Sequence, residues 1–429
     1  MAFTPITTTD GLSEDASTTL SPSARWMALS TVTTLFFMWG FITCLNDILI
    51  PHLKAVFQLN YLRSSLIQFT FFGAYFAMSL PAGAIVARLG YKGGVIVGLV
   101  TAATGTLLFL PAASYISYNL FLGALFVLAT GITVLQVAAN PYVAALGKPE
   151  MASSRLNLAQ AFNSLGTALA PYLGGWLILS AVGSAMTTDA ASQAATVKLP
   201  YLGLTILLLL LAGGIALIKL PHLSNVEEAS TDHATFREAL KRPQLSLGTV
   251  GIFLYVGAEV AIGSYLINFM GDPSIAGLER SQAAYYVPYY WGGAMIGRFI
   301  GSALTRVIPP HLVLAANAAI ATALTVIGFC ATGHLAMWSV LAIGLFNSIM
   351  FPTIFTLGIA ELGHLTGRGS SLMIMAIVGG AIIPVAMGYA ADLFGVHHSL
   401  FIPALCYLFI IYYGLAGYRP QVAGGSMDW

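Results

Sequence analysis

The sequence predicts an all-α membrane protein whose twelve transmembrane helices form two similar six-helix bundles. Three observations lead there. Of 429 residues, 58% are hydrophobic and only 8% carry a formal charge, whereas a soluble domain carries charge on roughly a quarter of its residues. The apolar residues come in continuous runs of a length that crosses the hydrocarbon layer, about 20 residues each. The two halves of the chain also resemble each other. No packing arrangement hides so much apolar surface from water, which excludes a soluble fold. A backbone in lipid must satisfy its own hydrogen bonds, and a β-barrel would alternate apolar and polar residues, so the runs are helices.

Taken in order, the chain opens with residues 1–24, rich in Ser and Thr, carrying Asp10, Glu14 and Asp15 and no base. A signal peptide needs a basic start and an apolar core, so this segment reads as a disordered cytosolic tail. Spans follow at 26–50, 64–87, 93–112, 118–146, 155–181 and 199–219, which places an N-terminal six-helix bundle at 25–219. The first span is expected to run past Pro51 toward Phe57. The long charged connection at 220–246, with Glu227, Glu228, Asp232, Arg237, Glu238, Lys241 and Arg242, reads as a cytosolic linker. Spans at 247–270, 281–305, 312–331, 335–360, 369–393 and 398–417 make a C-terminal bundle over 247–418, before a cytosolic tail at 419–429.

Lys and Arg placement sets the orientation, because cytosolic connections collect positive charge. With both termini in the cytosol, one side receives 13 of the 17 bases, among them Arg88, Lys92, Lys148, Arg155, Arg298, Arg306 and Arg368. The other side receives Lys54, Arg63, Lys198 and Arg280. Gly166, Pro171 and Gly175 recur as Gly379, Pro384 and Gly388, Gly83 and Arg88 as Gly301 and Arg306, and Pro141 as Pro352. The offsets are 213, 218 and 211 residues, in the right order for a duplicated six-helix unit. Parallel repeats of this kind mark secondary transporters with a site at the repeat interface.

Of the 16 acids, only Asp47 and Glu259 fall well inside spans. An ionised carboxylate at mid-bilayer costs upward of about 2.5 kcal/mol, so such an acid is a candidate for taking up and releasing a proton, or else a neutral cross-link between helices. Arg298 is the deepest base and reads as a packing or gating residue at the inner mouth. Cys44, Cys330 and Cys406 lie far apart in apolar runs and read as small buried hydrophobes, with no metal-ligand cluster. The run Tyr285, Tyr286, Tyr289, Tyr290 and Trp291 reads mostly as an interfacial belt, while Trp39 and Tyr75 lie deeper with their direction open.

The loop from Gly83 to Lys92 resembles that of the major facilitator superfamily, with Ala87 where an acid is usual. More specific are LNDIL at 45–49, AANP at 138–141, RLNLAQAFNSLG at 155–166, FPTIF at 351–355 and IPALC at 402–406. Together these resemble the fucose–galactose–glucose:proton symporter family, over roughly Trp26 to Tyr418. The resemblance implies a monomeric, multi-pass importer of the bacterial inner membrane that couples monosaccharide entry to proton entry. In the fucose branch of that family the functional acids lie in the first and fourth helices; here the first is Asp47, while Gln136 stands at the second and Glu259 appears in the seventh, where that branch carries an amide. That exchange favours the glucose/galactose branch over fucose. Asp47 and Glu259 are the expected proton-coupling residues, and Arg88 and Arg298 the expected gating residues.

Amides carry the donors and acceptors that sugar hydroxyls match. Asn46, Gln136, Asn140, Gln160, Asn163 and Asn347 all lie within spans and are the expected sugar ligands. Gln136 and Asn140 share a helix face, as do Gln160 and Asn163. Helix-to-helix bonding is the alternative use of the same groups. Sodium remains an alternative to the proton, since carboxylates and amides also suit a hard cation. Fucose, another hexose and N-acetylglucosamine remain alternative substrates. No H-E-x-x-H, G-x-S-x-G or P-loop string is present, so neither an enzyme nor an ATP-driven pump is expected, and no cofactor, metal or nucleic acid.

Overall fold

The computed structural model describes residues 22–56, 61–182, 198–218 and 235–420, with side chains placed in 26–44, 66–172, 198–218 and 235–420. Most of the expected tails and of the charged linker lie outside the described residues. The first helix, Pro22–Val56, extends past Pro51 as expected. It starts inside the expected tail because Pro22 can occupy a first helical position, where its missing N–H is unneeded. The same holds at Pro243, which opens the seventh span, Pro243–Gly271, inside what reads by sequence as linker. Just before it, Phe236–Leu240 is a short helix held by a capping box between Thr235 and Glu238.

Helix Tyr61–Ser114 is continuous by hydrogen bonding but contains Gly90 at φ 69 and ψ 175. A straight helix of 54 residues would be roughly 80 Å long, more than twice the hydrocarbon thickness of about 30 Å. Gly90, free of a Cβ, takes the positive φ that turns the second span into the third. Helices Tyr118–Ala145, Ala152–Val182 and Lys198–Leu217 complete the first half. In the second half, Val287–Leu304 and Pro310–Cys330 are followed by two interrupted spans, Gly333–Asn347 with Met350–Ile359 and Thr366–Met375 with Gly379–Phe394. The last span, Phe401–Tyr412, ends in a π-helical turn at Tyr413–Gly417.

Among the described residues, nine helical stretches are long and apolar enough to cross a membrane. One of them, Leu66–Ser114, contains both the second and third spans. Ala152–Val182 and Val287–Leu304, which carry Arg155, Gln160, Asn163 and Arg298, complete the twelve.

The helices pack in the same order twice. The first span lies on the fifth, the third on the sixth, and the second and third on the fourth. The seventh lies on the eleventh, the ninth on the twelfth, and the eighth and ninth on the tenth. Two repeated glycines permit matching close crossings in the two halves: a Cβ at Gly166 would strike the Phe37 carbonyl, and one at Gly379 would strike the Phe253 carbonyl. The halves meet where the fifth span touches the eighth and tenth, and where the second touches the eleventh.

Basic side chains collect at one end of the bundle and serve helix C-termini there. Lys92 Nζ donates to the carbonyls of Ala216 and Ile218 at 2.9 and 2.8 Å, closing the sixth span. Arg155 donates to the carbonyls of Val143 at 3.1 Å and Lys148 at 2.9 Å, and also to Ala144, closing the fourth. At the opposite end, Ser274 donates from its N–H and hydroxyl to Asp272 at 2.9 and 2.7 Å, which holds that loop carboxyl below its usual range.

One expectation fails, and another is narrowed by a single residue. Cys330 is exposed, because it ends its helix facing away from the bundle, while Cys406 is buried as expected and Cys44 half-buried. Tyr290 is fully buried, because the about 100° of helix rotation between consecutive residues turns it inward from exposed Tyr289.

Candidate functional site: a central cavity between the halves

A cavity of about 510 Å³ lies between the two halves. The first half contributes Trp39, Thr43, Gln68, Phe71, Phe72, Tyr75 and Asn163, and the second contributes Val260, Gly263, Ser264 and Trp291. Apolar and aromatic walls with a few placed polar groups are the usual make-up of a small-molecule site. Both Trp39 and Tyr75 therefore face the cavity, and Trp291 joins them from the other side. Gln68, an amide inside the second span that the sequence reading did not single out, also belongs to the wall.

At the base of this wall, Gln136 Nε2 donates to the Tyr75 hydroxyl at 2.7 Å. Asn163 lines the cavity while its Nδ2 donates to the Phe36 carbonyl at 2.9 Å, so it serves both helix packing and the cavity surface. Gln160 is buried, and its side chain forms no hydrogen bond among the described residues. Asn140 is fully buried with neither amide atom paired. Neither it nor Asn347 reaches the cavity lining. Asn46 and Asp47 sit on the first helix, but their side chains lie outside the described residues.

Asn347 instead organises a buried polar cluster in the second half. Its Nδ2 donates to the hydroxyls of Tyr290 at 2.8 Å and Tyr407 at 3.4 Å. The Tyr290 hydroxyl donates to the Glu259 carbonyl at 3.2 Å. Glu259, adjacent in sequence to the cavity residue Val260, has its Oε1 3.6 Å from Arg298 Nη2. That oxygen forms no hydrogen bond, nor does the buried hydroxyl of Tyr255 one turn earlier. Sequence reasoning found Glu259, Arg298 and Asn347 but missed the three tyrosines. Tyr255 was within reach, standing four residues before Glu259 on one helix face. Tyr290 and Tyr407 come from other helices and leave no local signal.

Toward the basic end the halves are clasped by hydroxyl groups. Ser153 and Thr356 are 2.6 Å apart, and Ser154 and Ser302 each donate to the other's carbonyl at 2.7 and 2.9 Å. Asn157 Nδ2 donates to Thr353 at 3.3 Å, and Arg306 Nε to Ser154 at 3.2 Å. Arg298 Nη1 reaches across to Ser164. Arg88, its expected gating companion, is exposed and forms no ion pair or hydrogen bond among the described residues. The two halves are thus closed at the basic end, with the cavity on the other side of the clasp.

Residues 27–384 match the Major Facilitator Superfamily. The chain is 58% identical over 390 residues to a glucose/galactose transporter of Brucella abortus biovar 1 (strain 9-941), covering 91% of this chain and 94% of the relative. It is 38% identical over 407 residues to the L-fucose-proton symporter of Escherichia coli (strain K12), covering 91% and 92%. A crystal structure of the transporter FucP in the outward conformation superposes with a TM-score of 0.83 at 37% identity, over 91% of this chain and 98% of that one.

Proposed function

The chain belongs to the Major Facilitator Superfamily, and from that premise we propose that it is a hexose importer of the glucose/galactose type. It carries its sugar into the cell by proton symport, through alternating access of two six-helix halves around the central cavity. The bacterial relatives support a place in the inner membrane. A cavity lined within one chain supports a monomeric unit of transport.

The observation that carries this reading is the cavity itself, with aromatic walls, the amides Gln68 and Asn163 and three hydroxyls, and with Glu259 beside Val260 in sequence. Tyr75, Asn163 and Gln68 supply sugar contacts in this reading, with Gln136 holding the Tyr75 hydroxyl and Trp39 and Trp291 flanking the ring. Glu259 and Asp47 take and release the proton. An ionised acid opposes closure of an apolar cavity around it, so protonation permits the swing that carries sugar inward.

Uptake into proteoliposomes tests the reading. Glucose or galactose should accumulate under an imposed pH gradient and not under a sodium gradient. Asp47→Asn should keep sugar exchange at zero gradient and lose uphill accumulation. Accumulation driven by sodium alone, or no movement of any hexose, refutes it.

A further inference from the structure

Arg298 occupies a junction that neither a gate nor an ion pair explains alone. Its guanidinium has five donors in a fixed plane, and here they address three helices. Nε donates to the Ser348 carbonyl at 3.1 Å, Nη1 donates to Ser164 Oγ, and Nη2 faces Glu259 Oε1 at 3.6 Å. The Ser348 carbonyl is available because its helical partner four residues on is Pro352, which has no N–H. Gly297 holds this turn against the tenth span, where a Cβ would strike the Leu345 carbonyl and Ser348. One arm of the guanidinium is therefore anchored within its own half. The other two point at a residue of the opposite half and at the buried acid.

Those two contacts are unequal. Ser164 Oγ gives its own proton to the Gln160 carbonyl at 3.1 Å, which leaves its lone pairs for Arg298. The approach to Glu259 is longer than the 2.7–2.9 Å of a direct charge-assisted bond, and Glu259 Oε1 meets no full hydrogen bond, with the Tyr255 hydroxyl beside the carboxyl on the same helix. The groups around the acid are Tyr255 on its own helix, Tyr290 and Arg298 on the eighth, Asn347 on the tenth and Tyr407 on the twelfth. Among the described residues Arg298 is the charged one.

We propose that Arg298 couples opening of the inner gate to proton release, by passing from Ser164 to Glu259. While the basic end is closed, Ser164 draws the guanidinium away and the acid accepts a proton from the outer side. When the gate opens, the fifth span carries Ser164 off. The guanidinium then closes on Glu259, the carboxyl O–H bond breaks, the proton leaves to inner water, and the carboxylate stays paired with Arg298. The proposal rests on Glu259 as a proton site, and Arg298 is a positioning residue within it.

The test is the external-pH profile of proton-driven uptake in proteoliposomes, with sugar binding measured alongside. Uptake falls as pH rises through the point where Glu259 loses its proton. In Ser164→Ala the guanidinium is never held back, so the midpoint should move toward acid by about one pH unit, the lower end of the usual effect of a nearby opposite charge. In Arg298→Gln the midpoint should move toward alkali. Because Glu259→Gln removes uphill uptake, the double variant is read by sugar exchange at zero gradient, whose pH profile Ser164→Ala should shift in the wild-type background and leave unchanged beside Glu259→Gln. A Ser164→Ala protein that binds sugar normally and keeps the wild-type midpoint overturns the proposal, as does a shift that survives in the double variant. Unchanged proton-to-sugar stoichiometry in Glu259→Gln alone instead removes the coupling role of Glu259, and the hand-over falls with it.

Discussion

Spans four and ten carry matching prolines, Pro141 and Pro352, and each frees the carbonyl four residues earlier. In the first half the freed Val137 carbonyl accepts Ser370 from the opposite half at 3.3 Å. In the second, the freed Ser348 carbonyl accepts Arg298 from its own half at 3.1 Å. The glycine crossings are likewise repeated, Gly166 on Phe37 and Gly379 on Phe253. The polar content differs. Gln136 meets Tyr75 as a neutral pair, whereas Glu259 faces a guanidinium. Duplication has kept the packing devices in both halves and let the chemistry diverge, because backbone crossings tolerate little change while a buried polar group need only be satisfied where it lies.

The largest expected effect probes the divergence. Glu259→Gln should abolish proton-driven accumulation and retain sugar binding, measured as proton flux beside sugar flux. Gln136→Glu added to it should return part of the pH dependence, since Gln136 sits against the cavity residue Tyr75. An equal loss from altering the neutral Gln136–Tyr75 pair alone would erase the distinction between the halves.

The shared packing is probed next. Gly166→Ala and Gly379→Ala each press a methyl onto a carbonyl of the neighbouring span, and each should lower stability by about 1–3 kcal/mol. Thermal unfolding in detergent should show the two losses to be similar. A large loss at one and none at the other would mean that the repeat is not mechanically equivalent.

The smallest effect separates two amides on one helix face. Asn163→Ala should weaken sugar affinity by about 1–3 kcal/mol, because it lines the cavity and binds the Phe36 carbonyl. Gln160→Ala should change affinity less, since Gln160 is buried outside the lining. Isothermal binding of hexose to both variants decides, and the reverse order would return Gln160 to the sugar.

The spans, their twofold repeat and the basic end were legible in the sequence because each is a local or periodic property. Lipid forces a backbone to bond within its own helix, and that leaves a continuous apolar run as its trace. The rarity of acids in spans likewise pointed to Glu259 without any knowledge of its neighbours. What the sequence left open was direction. Amides at helical spacing share a face, yet the packing of five other helices decided that Asn163 reaches the cavity while Asn140 and Asn347 do not. Tyr290 sits in a run of interfacial aromatics and is buried only because its face of the eighth span meets the seventh and tenth spans. The meeting of Arg298 with Glu259, Ser164 and Ser348 joins four helices from both halves. Such contacts depend on how rigid helices cross, which no stretch of sequence records, so only the tertiary structure decided them.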